Sequence, residues 1–229
     1  STADIAALRS SQLAGLTTDQ VGALSTNQIA ALTTAAVSGL TTNQIVALTT
    51  GQASALSAAQ VLALTTNAIA ALETADFAAL STAAVSSLSV NQVKALTTGQ
   101  VVALTTNEAA ALSTAQVAAL STNAIAALET ADLSAIKTAA IAALTTAQVA
   151  ALTTGQVNSL ATASVAALST AGIAVLGTDQ VVALTSSQIA SLSAAQVAAL
   201  SSKAIGAIET ADLAGLSTAD IAALRTAQL

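Results

Sequence analysis

The stretch TTNQIVALTTGQASAL, residues 41–56, contains one eight-residue pattern twice in succession. In both copies of this octad, position 1 is Thr, position 4 is Gln and position 8 is Leu. Counted from Ser1, the same frame divides the 229 residues into 28 complete octads and the remnant RTAQL, without insertion or deletion. Because a fixed period is the signature of repeat architectures, we expect the fold to be one octad-sized unit copied many times.

Two apolar columns run through the octads. Position 8 is Leu in every complete octad except at Ile136 and Ile208, and position 5 is Ile, Val, Leu or Phe except at Ala53 and Ala109. Positions 6 and 7 are mainly Ala, Ser or Gly. Large apolar side chains three residues apart lie on one face of a helix, so the pattern indicates a short helix with one buried side. Position 3 varies most and is predicted to face solvent.

Positions 1 and 4 carry a helix-start signal. Position 1 is Ser or Thr in 21 of 29 octads, and position 4 is Gln or Glu in 16 of 29. In such a capping box the first hydroxyl accepts the N–H three residues later, while the Gln or Glu reaches back to the cap residue's own N–H. Thr41 is therefore predicted to cap a helix over residues 42–48, and Thr49 to cap the next. One octad is then one cap residue and a helix of about two turns.

These signals predict an all-α solenoid of very short helices, about two turns each, with one helix per octad. Isolated helices of this length are unstable in water, so each needs neighbours from other octads. One continuous helix is disfavoured, because its Leu column would drift by about 80° per octad. A β-solenoid stays open as the alternative, since β-branched residues recur at positions 1, 2 and 5. We expect residues 1–229 to form a single continuous array that is a fragment of a longer one.

A longer period lies inside the short one. Three octads begin with ETAD, at Glu73, Glu129 and Glu209, so their spacings are seven and ten octads. The octad STADIAAL occurs at residues 1–8 and again at 217–224. Together these repeats indicate a super-repeat of 17 octads that grew by duplication of blocks. The number of octads per superhelical turn does not follow from them, because seven, ten and seventeen share no common factor.

The composition excludes several classes of function. Without His or Cys the chain cannot build a Ser-His or Cys-His nucleophile or a conventional zinc site, so we predict neither enzyme activity nor a cofactor. A net charge of −6, with five scattered basic residues, argues against a nucleic-acid partner. Ser, Thr or Gln interrupts every octad, so no run of about 20 apolar residues exists and no membrane span is predicted.

Carboxylates and hydroxyls form the two candidate binding features. The ETAD octads hold the only clustered carboxylates, but Ca²⁺ takes six to eight oxygen ligands, and acidic groups in a first turn are already favoured by the helix dipole. We therefore predict no metal site. Regular rows of Thr at positions 1 and 2 are able to bind ice or a crystalline glycan, although helix capping already accounts for them. The Ca²⁺ candidates are Glu73, Asp76, Glu129, Asp132, Glu209 and Asp212.

In style the whole chain resembles the Thr- and Ala-rich, Cys-free, acidic repeat regions of large secreted bacterial surface proteins and adhesins. The resemblance is one of composition and covers every residue. It implies an extracellular stalk, spacer or fibre-forming segment on a bacterial surface. We expect such an array to self-associate end to end or laterally through its repetitive faces. The alternative is a binding module that recognises ice, glycan or Ca²⁺ through its Thr rows or ETAD octads.

Overall fold

The computed structural model describes residues 1–213, 215–224 and 228, and within these it contains helices and no strand. The prediction of an all-α helical solenoid is confirmed, and the β-solenoid alternative is wrong. The internal contacts divide the chain into two units, Ser1–Leu112 and Ser113–Leu229, each of which is a solenoid of short helices. A single continuous array over residues 1–229 stays a prediction.

Each octad contributes one helix, which begins at position 2 and spans four to six residues. In the first unit the helices are α1 Thr2–Ala6, α2 Ser10–Ala14, α3 Thr18–Gly22, α4 Thr26–Ala31, α5 Thr34–Val37, α6 Thr42–Val46, α7 Thr50–Ser54, α8 Ala58–Ala63, α9 Thr66–Ala71, α10 Thr74–Ala78, α11 Thr82–Ser86, α12 Val90–Lys94, α13 Thr98–Val102 and α14 Thr106–Ala111. In the second unit they are α15 Thr114–Ala119, α16 Thr122–Ala127, α17 Thr130–Ala135, α18 Thr138–Ile141, α19 Thr146–Ala150, α20 Thr154–Ser159, α21 Thr162–Ala166, α22 Thr170–Ala174, α23 Thr178–Val182, α24 Ser186–Ala190, α25 Ala194–Ala199, α26 Ser202–Ala207, α27 Thr210–Leu213 and α28 Thr218–Ala222.

Helix α6 shows how the octad sequence builds its helix. The Thr41 hydroxyl accepts the N–H of Gln44, and Gln44 Oε1 accepts the N–H of Thr41 at 2.9 Å, so the predicted capping box is present. The helix ends at Val46, with Ala47 as its C-cap. At 3.6 residues per turn, this helix is shorter than the two turns expected, because the last residues of the octad leave the helix to form the corner.

The corner between successive helices consists of extended residues. Leu32, at position 8, has φ −61° and ψ 137°, and Thr33, the next cap, has φ −72° and ψ 154°. Any L-residue adopts these angles without strain. No residue in the described part of the chain has a positive φ, so the corner requires no glycine. The octad can therefore repeat with an ordinary Leu-Thr or Leu-Ser pair at every turn.

Burial follows the octad. Between residues 33 and 208, positions 4, 5 and 8 are buried, whereas positions 1, 2, 3 and 6 are mostly exposed. In α6 and its corner, Gln44 is 2 %, Ile45 0 % and Leu48 5 % exposed. The predicted apolar columns at positions 5 and 8 and the exposure of position 3 are confirmed. The exposure of position 6 explains why residues as different as Leu62 and Lys94 occur there.

Within each unit, every helix packs against the helix three octads along, as α6 does against α9 and α19 against α22. Side-chain hydrogen bonds also join octads four apart, for example between Gln100 and Leu72. A neighbouring turn is thus reached after three to four octads, which places 24 to 32 residues in each superhelical turn. Among the described residues, no helix is long and apolar enough to cross a bilayer.

Phe77, the single Phe of the chain, lies beside an octad that carries Ala at position 5. It is 0 % exposed in α10, which packs against α7, where Ala53 occupies the equivalent position. Ala53 is fully buried. A large side chain packed against a small one keeps the core close-packed.

Candidate functional site

Buried glutamine amides at position 4 join successive turns of each unit. Gln100, in the first turn of α13, is 0 % exposed. Its Oε1 accepts the N–H of Thr97 at 3.0 Å, which is the capping-box bond. Its Nε2 donates to the backbone carbonyl oxygens of Ile69 at 2.7 Å and Leu72 at 2.9 Å, four octads earlier. One amide therefore caps its own helix and bonds the neighbouring turn.

The same arrangement recurs along both units, and we call it the amide ladder. In each case Nε2 donates to the position-8 carbonyl of the octad four earlier, at 2.6–2.9 Å. The members are Gln44, Gln52, Gln60, Gln92 and Gln100 in the first unit, and Gln148, Gln156, Gln180, Gln188, Gln196 and Gln228 in the second.

The amide ladder provides donors for carbonyl groups that every short helix leaves unpaired at its end. The last carbonyl groups of a helix have no intrahelical donor, and a buried carbonyl left unpaired costs about 1–3 kcal/mol. A Gln amide supplies that donor, whereas a Glu carboxylate does not. Position 4 holds 15 Gln and one Glu, although a capping box accepts either. This imbalance was the sequence signal for the ladder, which the capping-box interpretation alone does not predict.

Glu108, the one Glu at position 4, shows the difference. It is 2 % exposed, and its Oε2 accepts both the N–H and the hydroxyl of Thr105, at 2.8 and 2.9 Å. The capping box of α14 is therefore complete. Within the described residues, however, Glu108 makes no hydrogen bond to Leu80, the position-8 residue of the octad four earlier. A carboxyl group at position 4 thus caps the helix without joining the turns.

The ETAD octads separate their two acidic side chains. Position 1 lies at the N-cap, where Glu73 makes no side-chain cap bond, and position 4 lies in the first turn. All three Glu residues are exposed, while their Asp neighbours point inward: Glu73, Glu129 and Glu209 are exposed, Asp76 and Asp132 are 3 % exposed, and Asp212 is half-buried. In the described part of the chain no three carboxylates come together as metal ligands. The prediction of no metal site stays a prediction, and the alternative of Ca²⁺ binding by these six residues has no assembled ligand set to support it.

Asp76 is a buried acid in an apolar and hydroxyl-lined setting. Its Oδ1 accepts the Thr50 hydroxyl at 2.8 Å, whereas its Oδ2 has no hydrogen-bond partner. The helices that pack against α10 are α7 and α13, and their octads contain no basic residue. A buried charge without a cation or a full set of donors destabilises a fold.

We expect Asp76→Asn to raise the free energy of unfolding by about 1–2 kcal/mol at neutral pH, because the amide keeps an acceptor for Thr50 and removes the buried charge. Urea unfolding followed by circular dichroism measures the change. Glu73→Gln is the matched control, since it makes the same charge change at an exposed position of the same octad. An equal gain from both variants would show that burial of Asp76 is not the cause.

Threonines at position 2 form columns with one residue per turn. In the first unit such a column consists of Thr26, Thr50, Thr74 and Thr98, all exposed. A Cβ built on Gly51, beside Thr50, would lie 3.8 Å from the Thr26 methyl, and one built on Gly99 would lie 3.1 Å from the Thr74 hydroxyl. The starts of helices three octads apart are therefore adjacent, as a continuous column of threonine hydroxyls requires.

A shallow cleft on the second unit opens where Gly177 leaves the cap position without a side chain. Its lining is small, hydroxyl-bearing or neutral apart from Asp179, and comprises Ala150, Leu152, Thr153, Thr154, Gly177, Thr178, Asp179 and Gln180. A single carboxylate with no second ionisable group beside it cannot act as half of an acid–base pair. The absence of enzyme activity stays a prediction.

Comparison with known proteins places the octad in a repeat class. A family model described as ALTTAQ repeat matches residues 1–34, 69–106, 125–162, 159–194 and 205–229, which is more than half of the chain. The six letters themselves occur at residues 143–148, where they include the cap Thr145 and the ladder residue Gln148. No curated protein matches the chain.

Proposed function

The chain belongs to the ALTTAQ repeat family, and from this premise we propose that it is a non-enzymatic stalk or spacer whose length is set by its number of octads. The observation that carries the proposal is the amide ladder. Each ladder Gln bonds the octad four earlier, and within each unit a helix packs against the helix three earlier, so an added octad continues the same stack. Stability in such a stack is a sum of unit and neighbour contributions.

The distribution of polar groups supports this role. Ladder amides at position 4 are used to join turns, and most hydroxyls at position 1 are used to cap helices. The exposed positions carry mainly small and hydroxyl-bearing side chains, with few charged ones and isolated apolar ones such as Val46 and Leu62. Only 16 of the 229 residues are charged. The surface is thus chemically uniform along the sequence, as suits an element that separates two points rather than one that converts a substrate.

Inserting a second copy of residues 41–96 after Leu96 tests the proposal, because it adds seven octads, or two turns. We expect the longest dimension to increase by roughly 16–20 Å, since packed helices lie about 8–10 Å apart, while the cross-section stays constant. Small-angle X-ray scattering and negative-stain images of both chains measure the two dimensions. Growth in all directions, as in a globular protein, would rule out a spacer.

The proposal also places the chain outside a bacterial cell and lets it self-associate. Low surface charge and repeated faces favour lateral contact between copies, because little electrostatic repulsion opposes it. Sedimentation over a range of concentrations, with micrographs of the same samples, tests association, and a monomer throughout would contradict it. Surface labelling of intact cells that express the chain tests its location, since an interior protein would stay unlabelled.

A second candidate function rests on the column Thr26, Thr50, Thr74 and Thr98. A row of exposed hydroxyls at one-turn intervals presents a regular face to an ordered solid such as ice or a crystalline glycan. Thr98→Lys should abolish thermal hysteresis or glycan retention, whereas Thr34→Lys, at an exposed position 2 outside this column, should not. No hysteresis and no retention by the unaltered chain would eliminate this candidate.

A further inference from the structure

The amide ladder is interrupted over three consecutive octads of the first unit, residues 65–88, which we call the seam. Position 4 of these octads is Ala68, Asp76 and Ala84, so none carries an amide. A superhelical turn takes three to four octads, as the packing and hydrogen-bond offsets show. Three octads without an amide therefore remove the ladder from most of one turn.

The carbonyl groups opposite the seam receive no donor from the part of the chain that the structure describes. Those that the missing amides would reach belong to Leu40, Leu48 and Leu56, which are 6 %, 5 % and 3 % exposed. No hydrogen bond from a described residue reaches these three carbonyl oxygens. In the preceding turn the equivalent groups are all bonded: Gln44, Gln52 and Gln60 donate to the carbonyls of Leu16, Leu24 and Leu32 at 2.8, 2.6 and 2.8 Å.

The helix starts within the seam are weaker as well. Helices α9 and α11 keep a hydroxyl cap but have no reciprocal bond from position 4, because that residue is Ala. At α10 the cap residue Glu73 makes no side-chain cap bond, and Asp76 Oδ2 is buried without a partner. The octads that lack amide bonds to the preceding turn thus also lack part of their own end stabilisation.

Apolar packing continues through the seam. Helices α9, α10 and α11 still pack against α6, α7 and α8. Two hydroxyl bonds remain between these turns: Thr50 to Asp76 at 2.8 Å, and Ser87 to the Ala58 carbonyl at 2.9 Å. Regions that make fewer stabilising interactions than their surroundings open locally at lower free energy than the whole structure. The seam keeps its apolar packing but lacks the amide bonds to the preceding turn, so hydrogen bonding is what distinguishes it.

We propose that the seam is a built-in opening site. Residues 65–88 separate from the preceding turn before any other turns of the unit do, while the turns on either side stay folded. Under a pulling force, an array that opens at its seams lengthens in steps, because the turns between the seams stay folded. This inference goes beyond the spacer role and holds whether or not the chain lies outside a cell, since it concerns the order in which turns separate.

The second unit contains the same arrangement. Position 4 is Ala204, Asp212 and Asp220 in three consecutive octads, and Asp220 caps its own helix through the N–H of Ser217. The carbonyl groups four octads earlier, in Leu176, Leu184 and Leu192, receive no hydrogen bond from any residue that the structure describes. A run that recurs with the same loss of donors is a feature of the array and not a single irregular octad.

Native-state hydrogen exchange of the full chain, read by mass spectrometry, tests the proposal. We expect amides in residues 65–88 to exchange about tenfold faster than those in residues 41–64, because the lost bonds lower the local opening free energy. In the triple variant Ala68→Gln, Asp76→Gln, Ala84→Gln the ratio should fall to about threefold or less. The double variant Gln44→Ala, Gln60→Ala should instead speed exchange in residues 41–64.

Circular dichroism verifies that each variant is folded. If the triple variant does not fold, Asp76→Gln alone replaces it, and the ratio of exchange rates between residues 65–88 and 41–64 should then fall about threefold. Equal or slower exchange of residues 65–88 in the unaltered chain would overturn the proposal. A folded Gln variant whose exchange ratio does not change would overturn it too. Neither result depends on the length measurements that test the spacer role.

Discussion

Gln100→Glu is expected to lower the free energy of unfolding by about 3–4 kcal/mol at neutral pH, because a buried donor becomes a buried charged acceptor. The shape of the side chain hardly changes, and the capping bond from Thr97 is kept. The atom that replaces Nε2, however, faces the carbonyl oxygens of Ile69 and Leu72, which Nε2 contacts at 2.7 and 2.9 Å. Attraction across the turn becomes repulsion.

Urea unfolding at neutral pH, with midpoints and slopes compared, measures this effect. Gln100→Ala should cost about 1–3 kcal/mol, since it only removes the donor and leaves the carbonyls unpaired. Gln12→Glu is the control: Gln12 is exposed and makes the same capping bond to Arg9 at 2.9 Å, but its amide bonds no other turn. Similar losses for Gln100→Glu and Gln12→Glu would mean that the cross-turn bonds contribute little.

Phe77→Ala is expected to cost about 4–5 kcal/mol, near the upper end for loss of a buried aromatic ring. Phe77 is 0 % exposed, and α7, which packs against α10, carries Ala53 at the equivalent position. Ala53 has no atoms that could move into the space, so the cavity stays open. Thermal and urea unfolding of the variant and the unaltered chain give the loss.

A double-mutant cycle separates this packing arrangement from a general loss of apolar surface. Ala53→Val alone should destabilise by about 1–3 kcal/mol, because the space beside it is already filled by Phe77. Combined with Phe77→Leu, the same substitution should recover part of the loss, which gives a favourable coupling energy of about 1 kcal/mol. Additive effects of the two substitutions would show that Phe77 and Ala53 do not share one space.

The helix in each octad was predictable from the sequence because its causes are local. Thr41 and Gln44 form a capping box, and Ile45 and Leu48 lie on one side of a short helix, so start, direction and buried face all follow from eight residues. The burial of Gln44 was not predicted, since Gln is usually exposed. Only its bonds to another turn make that burial favourable.

The superhelical turn was not predictable, because it depends on how distant octads pack. A turn lies between three and four octads, so no integer spacing in the sequence reveals it. With the turn known, the ten octads between Glu129 and Glu209 in the second unit divide into two steps of three and one of four, or three whole turns. The pairing of Phe77 with Ala53 becomes visible for the same reason.

The candidate site was predicted only in part. The ETAD acids stood out by composition, but composition could not show that Glu73 lies outside and Asp76 inside, which follows from the position of each residue in its octad. The amide ladder was missed, although the preference for Gln over Glu at position 4 was present in the sequence. The preference can be explained only once the structure shows that carbonyl groups of another turn lie beside the position-4 amide and accept its N–H.

The amide that bonds four octads back repeats, at a larger scale, the backbone bond that joins each residue of an α-helix to the fourth before it. A helix must order several residues before its first bond forms, and this makes nucleation unfavourable and propagation favourable. An array of octads has the same constraint, since four octads must be in place before the fifth can form its first ladder bond. Very short arrays should therefore not fold, and the gain or loss of one octad in a long array should matter little.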